Sequence, residues 1–297
     1  MSLASHREPL SLDHPRLPAL RASSRPLPGG RSCNLQRDSR FFLLQEQWLD
    51  RIRRKAPHAA GKDGTKMENQ PRGAILQRDG ATYAIVPRTP AGIVSPDDLE
   101  NIIKVVRRYS IPIIKMTSGQ RMVLVGIKEE DVEKIWNELG MTVGQATAPC
   151  VHYVQACPGT ETCRYGKQDS LGLGLKIEEI YQDLNMPAKV KIGVSGCPRS
   201  CGESYLRDIG LLGTAKGWRV IFGGNAGARP RIGDLVAKDL TTDEALDLVR
   251  RLLEYYRSNA ERGERTARFV ERVGFDAIRK DVLALTPYIP LESTRPD

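Results

Sequence analysis

The sequence predicts an α+β protein in which a β-α-β-β-α-β unit precedes a second, α/β region. Three observations predict it. From residue 75 onward the apolar residues alternate between a period of two and a period of 3.6. Helix-capping residues stand where the period changes. Gly- and Pro-containing loops separate the segments.

The elements follow in order. Ala81–Val86 reads as a strand. Ser95 supplies an N-cap, Pro96 the first helical position, and Asp97 and Asp98 place acids at the positive helix end. Leu99, Ile102, Ile103 and Val106 then share one helical face. Ile111–Met116 and Arg121–Gly126 are strands joined by a turn at Thr117-Ser118-Gly119-Gln120. The next helix buries Val132, Ile135, Trp136 and Leu139 and stops at Gly140. Val151–Ala156 is read as the fourth strand, which completes the order of a ferredoxin-like unit. In the second half a helix is expected near Ile177–Leu184 and a strand at Lys189–Val194. Two more strands follow at Ile209–Leu212 and Trp218–Phe222. Two helices are expected in the C-terminal stretch. One opens at the capping box Thr241…Glu244, and the other contains Glu264–Arg272. There is no convincing internal repeat.

Charge and composition divide the chain. Residues 1–66 carry 13 Lys and Arg against 6 Asp and Glu, whereas the other 231 residues carry 32 against 30. The net charge of +9 therefore sits almost wholly in the N-terminal segment. A nucleic-acid domain would carry its basic patch on the folded body. Pro, Ser and Arg dominate residues 1–40 without a steady period, a pattern of disorder. One short amphipathic helix is expected at Phe41–Lys55. The division expected is 1–66 as an extension, 67–148 as the ferredoxin-like half-domain, 149–285 as a second domain and 286–297 as a tail. Met67 is read as the true start, or the segment before it as dispensable; a partner-binding or targeting arm is the alternative. No apolar run approaches the roughly 18 residues of a membrane span. The first 30 residues lack the apolar core of a signal peptide. A cytoplasmic protein with reduced thiols is expected, so paired cysteine spacings point to metal or cluster ligation before disulfides.

Two such pairs are present. Cys157 and Cys163 are spaced C-x5-C, and Cys197 and Cys201 are spaced C-x3-C. Both lie in loops marked by Cys157-Pro158-Gly159 and Gly196-Cys197-Pro198. Such loops let thiolates point inward while amide N–H groups face the sulfurs. Four thiolates suit a [4Fe–4S] cluster. Structural zinc prefers shorter spacings than x5 but remains an alternative, as do four unrelated buried cysteines. Cys33 and Cys150 have no paired spacing and are read as incidental.

At these residues the sequence resembles the siroheme-containing nitrite and sulfite reductases, in their single-half-domain form. Cys157-x5-Cys163-Arg164-Tyr165-Gly166 with Asp169-Ser170, and Gly196-Cys197-Pro198-Arg199-x-Cys201, resemble that family's cluster signature. Ile114-Lys115-Met116-Thr117-Ser118-Gly119-Gln120-Arg121 resembles the strand-turn-strand of its ferredoxin-like half-domain. The resemblance covers about residues 72–280. It implies that Cys157, Cys163, Cys197 and Cys201 hold a [4Fe–4S] cluster and that Cys201 also bridges to the siroheme iron. It implies a six-electron reduction of a small oxyanion, sulfite to sulfide or nitrite to ammonia, with an α/β domain that binds both cofactors. Lys189 and Lys191, at i and i+2 on a strand, face one side and resemble the family's pair of active-site lysines. Two ammonium groups there would hold an oxyanion and deliver protons; a solvated strand face is the structural alternative. Arg88, in Pro87-Arg88-Thr89-Pro90, resembles a family arginine near the tetrapyrrole. Arg121, with Lys115, Thr117 and Gln120 of the same turn, is a further candidate to meet the siroheme carboxylates.

Some positions depart from the family pattern. Gly119 stands where sulfite reductases usually have Arg, and Ser118-Gly119-Gln120-Arg121 is closer to the large subunit of NADH-dependent nitrite reductases. His152 stands where an active-site Arg is common, which makes it a candidate for an anion-binding or proton-donor role; the satisfied structural position usual for a lone histidine is the alternative. Gly223-Gly224-Asn225-Ala226-Gly227 does not fit a dinucleotide fingerprint and is read as a turn or an approach to the tetrapyrrole. No flavin or nicotinamide module is visible. Electrons are therefore expected from a separate donor such as ferredoxin. A cluster protein for electron transfer or sensing, and a zinc-bound structural module, are the competing readings.

Overall fold

The structure is a computed structural model that describes residues 71–284. The extension at 1–66 with its helix at Phe41–Lys55, Cys33, and the 286–297 tail lie outside the described residues.

The first group of elements is β1 (Ala74–Leu76), β2 (Thr82–Ile85), α1 (Pro96–Arg108), β3 (Ile113–Met116), β4 (Met122–Lys128) and α2 (Val132–Leu139). Its antiparallel sheet runs β1-β2-β4-β3. The capping signals act where the sequence placed them. The Ser95 hydroxyl accepts the Asp98 N–H while the Asp98 carboxylate accepts the Ser95 N–H, a reciprocal box worth about 1 kcal/mol. Gly140 ends α2 in the left-handed region at φ 62°. Ile102, Val105 and Val106 of α1 and Ile135, Trp136 and Leu139 of α2 pack on Ile85, Leu124 and Ile127 of the sheet.

Two expectations are corrected here. The fourth strand is β1, not Val151–Ala156. The Asp79 carboxylate accepts the Ala81 and Thr82 N–H groups at 3.0 and 2.9 Å and turns the chain between β1 and β2. Val151–Ala156 is buried at all six positions and pairs parallel with a later strand, as residues covered on both faces do. On α1, Leu99 and Ile103 are each 44% exposed; the apolar stripe is wider than the face the sheet covers.

The second group is β5 (Val151–Ala156), α3 (Ser170–Tyr181), β6 (Val190–Ser195), β7 (Ile209–Thr214), β8 (Gly217–Phe222), β9 (Asp234–Leu240), α4 (Thr242–Asn259), α5 (Thr266–Val273) and α6 (Phe275–Ala284). The five strands lie in chain order, β5-β6-β7 parallel and β7-β8-β9 antiparallel. Val190, Ile192, Leu211, Val220 and Phe222 form its core with Leu173 and Ile177 of α3 and Leu248, Leu252 and Tyr256 of α4. Helix α3 opens at Ser170, well before the expected Ile177, because its first turn is rich in glycine. Asp169 caps it at the Gly172 N–H, 2.8 Å away, and a Cβ on Gly174 would lie 2.8 Å from the Ala156 Cβ. Three C-terminal helices replace the two expected, since Gly274 at φ 91° separates α5 from α6. Strand β9 has too few apolar residues to stand out in the sequence. Gly223–Gly227 makes a turn, closed by paired Asn225 and Arg231. No helix among the described residues is long and apolar enough to cross a membrane.

Candidate active site

Strands β5 and β6 are parallel neighbours, and each runs at its carboxyl end into a cysteine loop. Open sheets with parallel strands bind ligands at that end. The two loops are joined by backbone. The Gly196 N–H donates to the Cys157 Sγ at 3.1 Å, and the Gly196 carbonyl accepts the Lys167 and Gln168 N–H groups at 2.7 and 3.1 Å. A Cβ on Gly196 would lie 2.6 Å from the Gly159 Cα, and one on Gly166 would lie 2.6 Å from the Gly159 carbonyl. Only glycine permits this approach. The Ser170 hydroxyl donates to the Cys157 carbonyl at 2.7 Å and lies 3.2 Å from its sulfur. Cys197 is buried, Cys157 half-buried, and Cys163 and Cys201 exposed. The two interlocked loops carry four thiols, with an amide N–H already on one sulfur. Among the described residues no three such side chains are gathered as a metal site, so the fit to a [4Fe–4S] cluster is one of donor chemistry.

At the amino ends of the same strands the residues are cations. Lys191 is the second residue of β6, opposite Tyr153 of β5, and Lys189 directly precedes the strand. The Lys189 Nζ donates to the Ala146 carbonyl at 3.1 Å. Around the Tyr153 ring stand the Arg121 Cζ at 4.7 Å, the Lys191 Nζ at 5.8 Å and the Arg207 Cζ at 5.8 Å. Arg207 reaches Gln155 and Glu203. Arg265, from the N-terminus of α5, pairs with buried Asp208 at 2.8 Å, and Asp208 also accepts the Lys191 N–H at 2.9 Å. Burial lowers the pKa of both lysines, and neighbouring Arg265 lowers it further. Tyr153, Gln155, Arg207, Asp208 and Arg265 were not among the residues singled out from the sequence. The adjacent charges Arg207-Asp208, directly before the apolar run Ile209–Leu212, were the one available signal.

The first sheet contributes its β3–β4 turn. The Gln120 side chain pairs with the Ala156 backbone in both directions, at 3.0 and 3.1 Å. It thereby docks the turn one residue before Cys157. Thr117 accepts the Arg121 N–H on its hydroxyl at 3.2 Å. The Arg121 guanidinium donates to the Gln145 carbonyl at 2.6 Å. Arg88 lies 3.6 Å from Glu178, a buried carboxylate that accepts the Ala91 N–H at 2.8 Å and whose pKa burial raises. Lys115 stands exposed on the edge strand β3, and the structure does not join it to the other cations. The Nε atoms of Arg88, Arg121 and Arg207 are buried without a hydrogen-bond partner. The Arg88 Nε faces the Glu178 carboxylate; the Arg121 and Arg207 donors are costly unless an anion meets them, and they fit the carboxylates of a siroheme.

His152 enters through an irregularity. The β5–β6 register shifts between Val151 and Tyr153, and such a bulge re-aims a side chain. The imidazole is buried, with its Nε2 2.5 Å from the Ala148 carbonyl. A carbonyl only accepts, so Nε2 carries the proton. Burial first, then Lys189, Arg121 and Lys191, push its pKa down to about 4 despite that hydrogen bond. His152 is therefore neutral near pH 7.

Comparison with known proteins matches both groups of elements to one family. Residues 147–287 match the nitrite and sulphite reductase 4Fe-4S domain, and residues 75–141 match the nitrite/sulfite reductase ferredoxin-like half domain. An assimilatory-type sulfite reductase of Nitratidesulfovibrio vulgaris is 59% identical over 217 residues, which are 73% of this chain and 100% of that protein. The NAD(P)H nitrite reductase of Bacillus subtilis is 42% identical over 72% of this chain, but the chain spans only 27% of its length. Among solved structures, a dissimilatory sulfite reductase superposes with a TM-score of 0.62 at 16% identity, over 73% of this chain and 72% of that one. That likeness is one of fold. The thiolate loops, the half-domain docked on them and the full-length match together show that the chain belongs to the nitrite and sulphite reductase family.

Proposed function

We propose that this protein is a siroheme- and [4Fe–4S]-dependent reductase that takes sulfite to sulfide, with nitrite to ammonia as a second reaction, using electrons from a separate donor protein such as ferredoxin. The observation that carries the reading is the pairing of two sites on one strand pair, thiolates at the carboxyl ends and cations at the amino ends. Sulfite is put first because the relative matched along its whole length is an assimilatory-type sulfite reductase.

Bound siroheme and cluster supply the electrons. The chain supplies the rest. Cys157, Cys163, Cys197 and Cys201 would hold the cluster, and Cys201 would serve the siroheme as well. Arg88, beside Glu178, and Arg121, through its unpartnered Nε, would meet siroheme carboxylates. Gln120 and Thr117 fix the turn that aims Arg121. Lys189 and Lys191 hold the oxyanion and give up protons as its bonds to oxygen break. Their lowered pKa makes each a better proton donor than an exposed lysine. His152, neutral and hydrogen-bonded to Ala148, shapes the pocket and leaves proton delivery to the lysines.

The test is a visible spectrum and a steady-state assay on purified, cofactor-loaded protein with an artificial electron donor. Siroheme bands with turnover, and a higher kcat/KM for sulfite than for nitrite, are expected. A cluster spectrum alone, without turnover of either anion, would establish an electron-transfer or sensor protein instead.

A further inference from the structure

We infer that Tyr153 is the positioning residue of the anion site: its ring gathers Arg121, Lys191 and Arg207, three cations from three separate segments, into one bowl. The inference rests on the functional reading above only in taking that bowl, with Lys189 beside it, to be where the oxyanion binds next to the siroheme carboxylates assigned to Arg121.

The geometry carries it. The three cations come from the start of β4, from β6 and from the segment before β7. Charges of one sign do not collect in a half-buried space unaided. Two carboxylates offset part of this charge: Glu203 pairs with Arg207, and Asp208, which also pairs with Arg265 and Thr266, accepts the Lys191 N–H. What the three cations share is the Tyr153 ring, each within 6 Å of its centre, the range in which an aromatic face attracts a cation. The ring is itself held in place. A Cβ on Gly119 would lie 2.7 Å from the Tyr153 Cζ and 3.0 Å from its oxygen, so the β3–β4 turn closes directly on the ring. Gly119 has no positive φ; its lack of a side chain makes room for the ring and answers no backbone demand. Gly119 and Tyr153 thus form one coupled unit that sets the spacing of the cations. The ring need not react. Its face does the positioning, so phenylalanine should serve in its place.

Four forms of the holoprotein test this: Tyr153→Phe, Tyr153→Leu, Gly119→Ala, and Gly119→Ala combined with Tyr153→Leu. Two readouts are taken. The first is steady-state reduction of sulfite with an artificial donor. Tyr153→Leu should raise KM about tenfold with a smaller change in kcat and an unchanged cofactor spectrum, while Tyr153→Phe stays within about twofold of the parent. The second does not depend on turnover: thermal unfolding with and without inorganic sulfite or phosphate. Either anion should raise Tm for the parent and for Tyr153→Phe, and not for Tyr153→Leu. Gly119→Ala should lower Tm in the parent background and cost little once Tyr153 is leucine. A Tyr153→Leu protein with parental KM and parental anion stabilisation overturns the inference, as does a Phe variant that fails like the Leu variant. If the parent reduces neither anion but the stabilisation pattern holds, the functional reading fails and the positioning role stands.

Discussion

The carboxyl ends of β5 and β6 form a site of backbone, and their amino ends a site of side chains. At the carboxyl ends, Gly159, Gly166 and Gly196 let two cysteine loops touch main chain to main chain, with an added Cβ already 2.6 Å from the neighbouring backbone. At the amino ends, cations arrive from separate segments and share an aromatic ring and two carboxylates. The first site has geometry with little slack, as a cluster with four fixed ligands requires. The second has charge held by side chains around one ring, as suits the preorganised binding of a small anion. The contrast sets how each should fail: the first to added volume, the second to lost charge.

The largest effect is expected at the backbone site. Gly196→Ala removes no thiolate, yet its Cβ has no place to go, so the two loops must part. Iron and acid-labile sulfide in the purified variant should fall close to zero. Cys201→Ser should likewise lose both cofactors or leave them magnetically uncoupled, because one sulfur is assigned to both. A Gly196→Ala protein with full iron content would show that the loops are more pliable than their packing implies.

Next in size is loss of charge at the other end. Lys189→Met or Lys191→Met keeps most of the side-chain volume and deletes an ammonium group. Turnover of sulfite and nitrite should drop about 10²–10³-fold, the cost of one preorganised donor, while the visible spectrum persists. Both lysines lose their protons below the ordinary lysine range, so the alkaline limb of the parent's pH profile should fall early. Parental turnover in both variants would move the anion site elsewhere.

The same contrast explains what the sequence revealed. The cysteine loops were legible because backbone-built sites are local: C-x5-C, C-x3-C and their glycines lie within a few residues of one another. The half-domain's helices were legible from their caps, Ser95 with Asp98 and Gly140. The bowl was only half legible. Lys189 and Lys191 share a strand, but Arg207 and Arg265 reach them only through tertiary folding, and Tyr153 sits in a strand that reads as plain core. Val151–Ala156 went to the wrong sheet for a related reason. A strand buried on every side shows no alternation that would tell which partner it has. Leu99 and Ile103 carry the reverse lesson, since periodicity marks the apolar face of α1 but not how much of it the sheet covers.

The smallest effect concerns His152, where the bowl's positive field acts on a residue of the protein itself. Its folded pKa of about 4 lies below the 6.5 of a free imidazole, chiefly because burial disfavours the charged ring. Between those values the unfolded chain binds the proton more tightly. The stability gained by keeping His152 neutral is therefore complete above pH 6.5 and is lost as the pH falls through about 4. The shift caps that contribution at roughly 3 kcal/mol. His152→Gln cannot ionise, so it should lose less stability on acidification than the parent does, while retaining most reductase activity near neutral pH. Urea midpoints at about pH 7.5 and about pH 4.5 measure the difference directly. If parent and variant weaken equally between the two conditions, the His152 ring is neither desolvated nor held in the field of the lysines and Arg121 as its surroundings require.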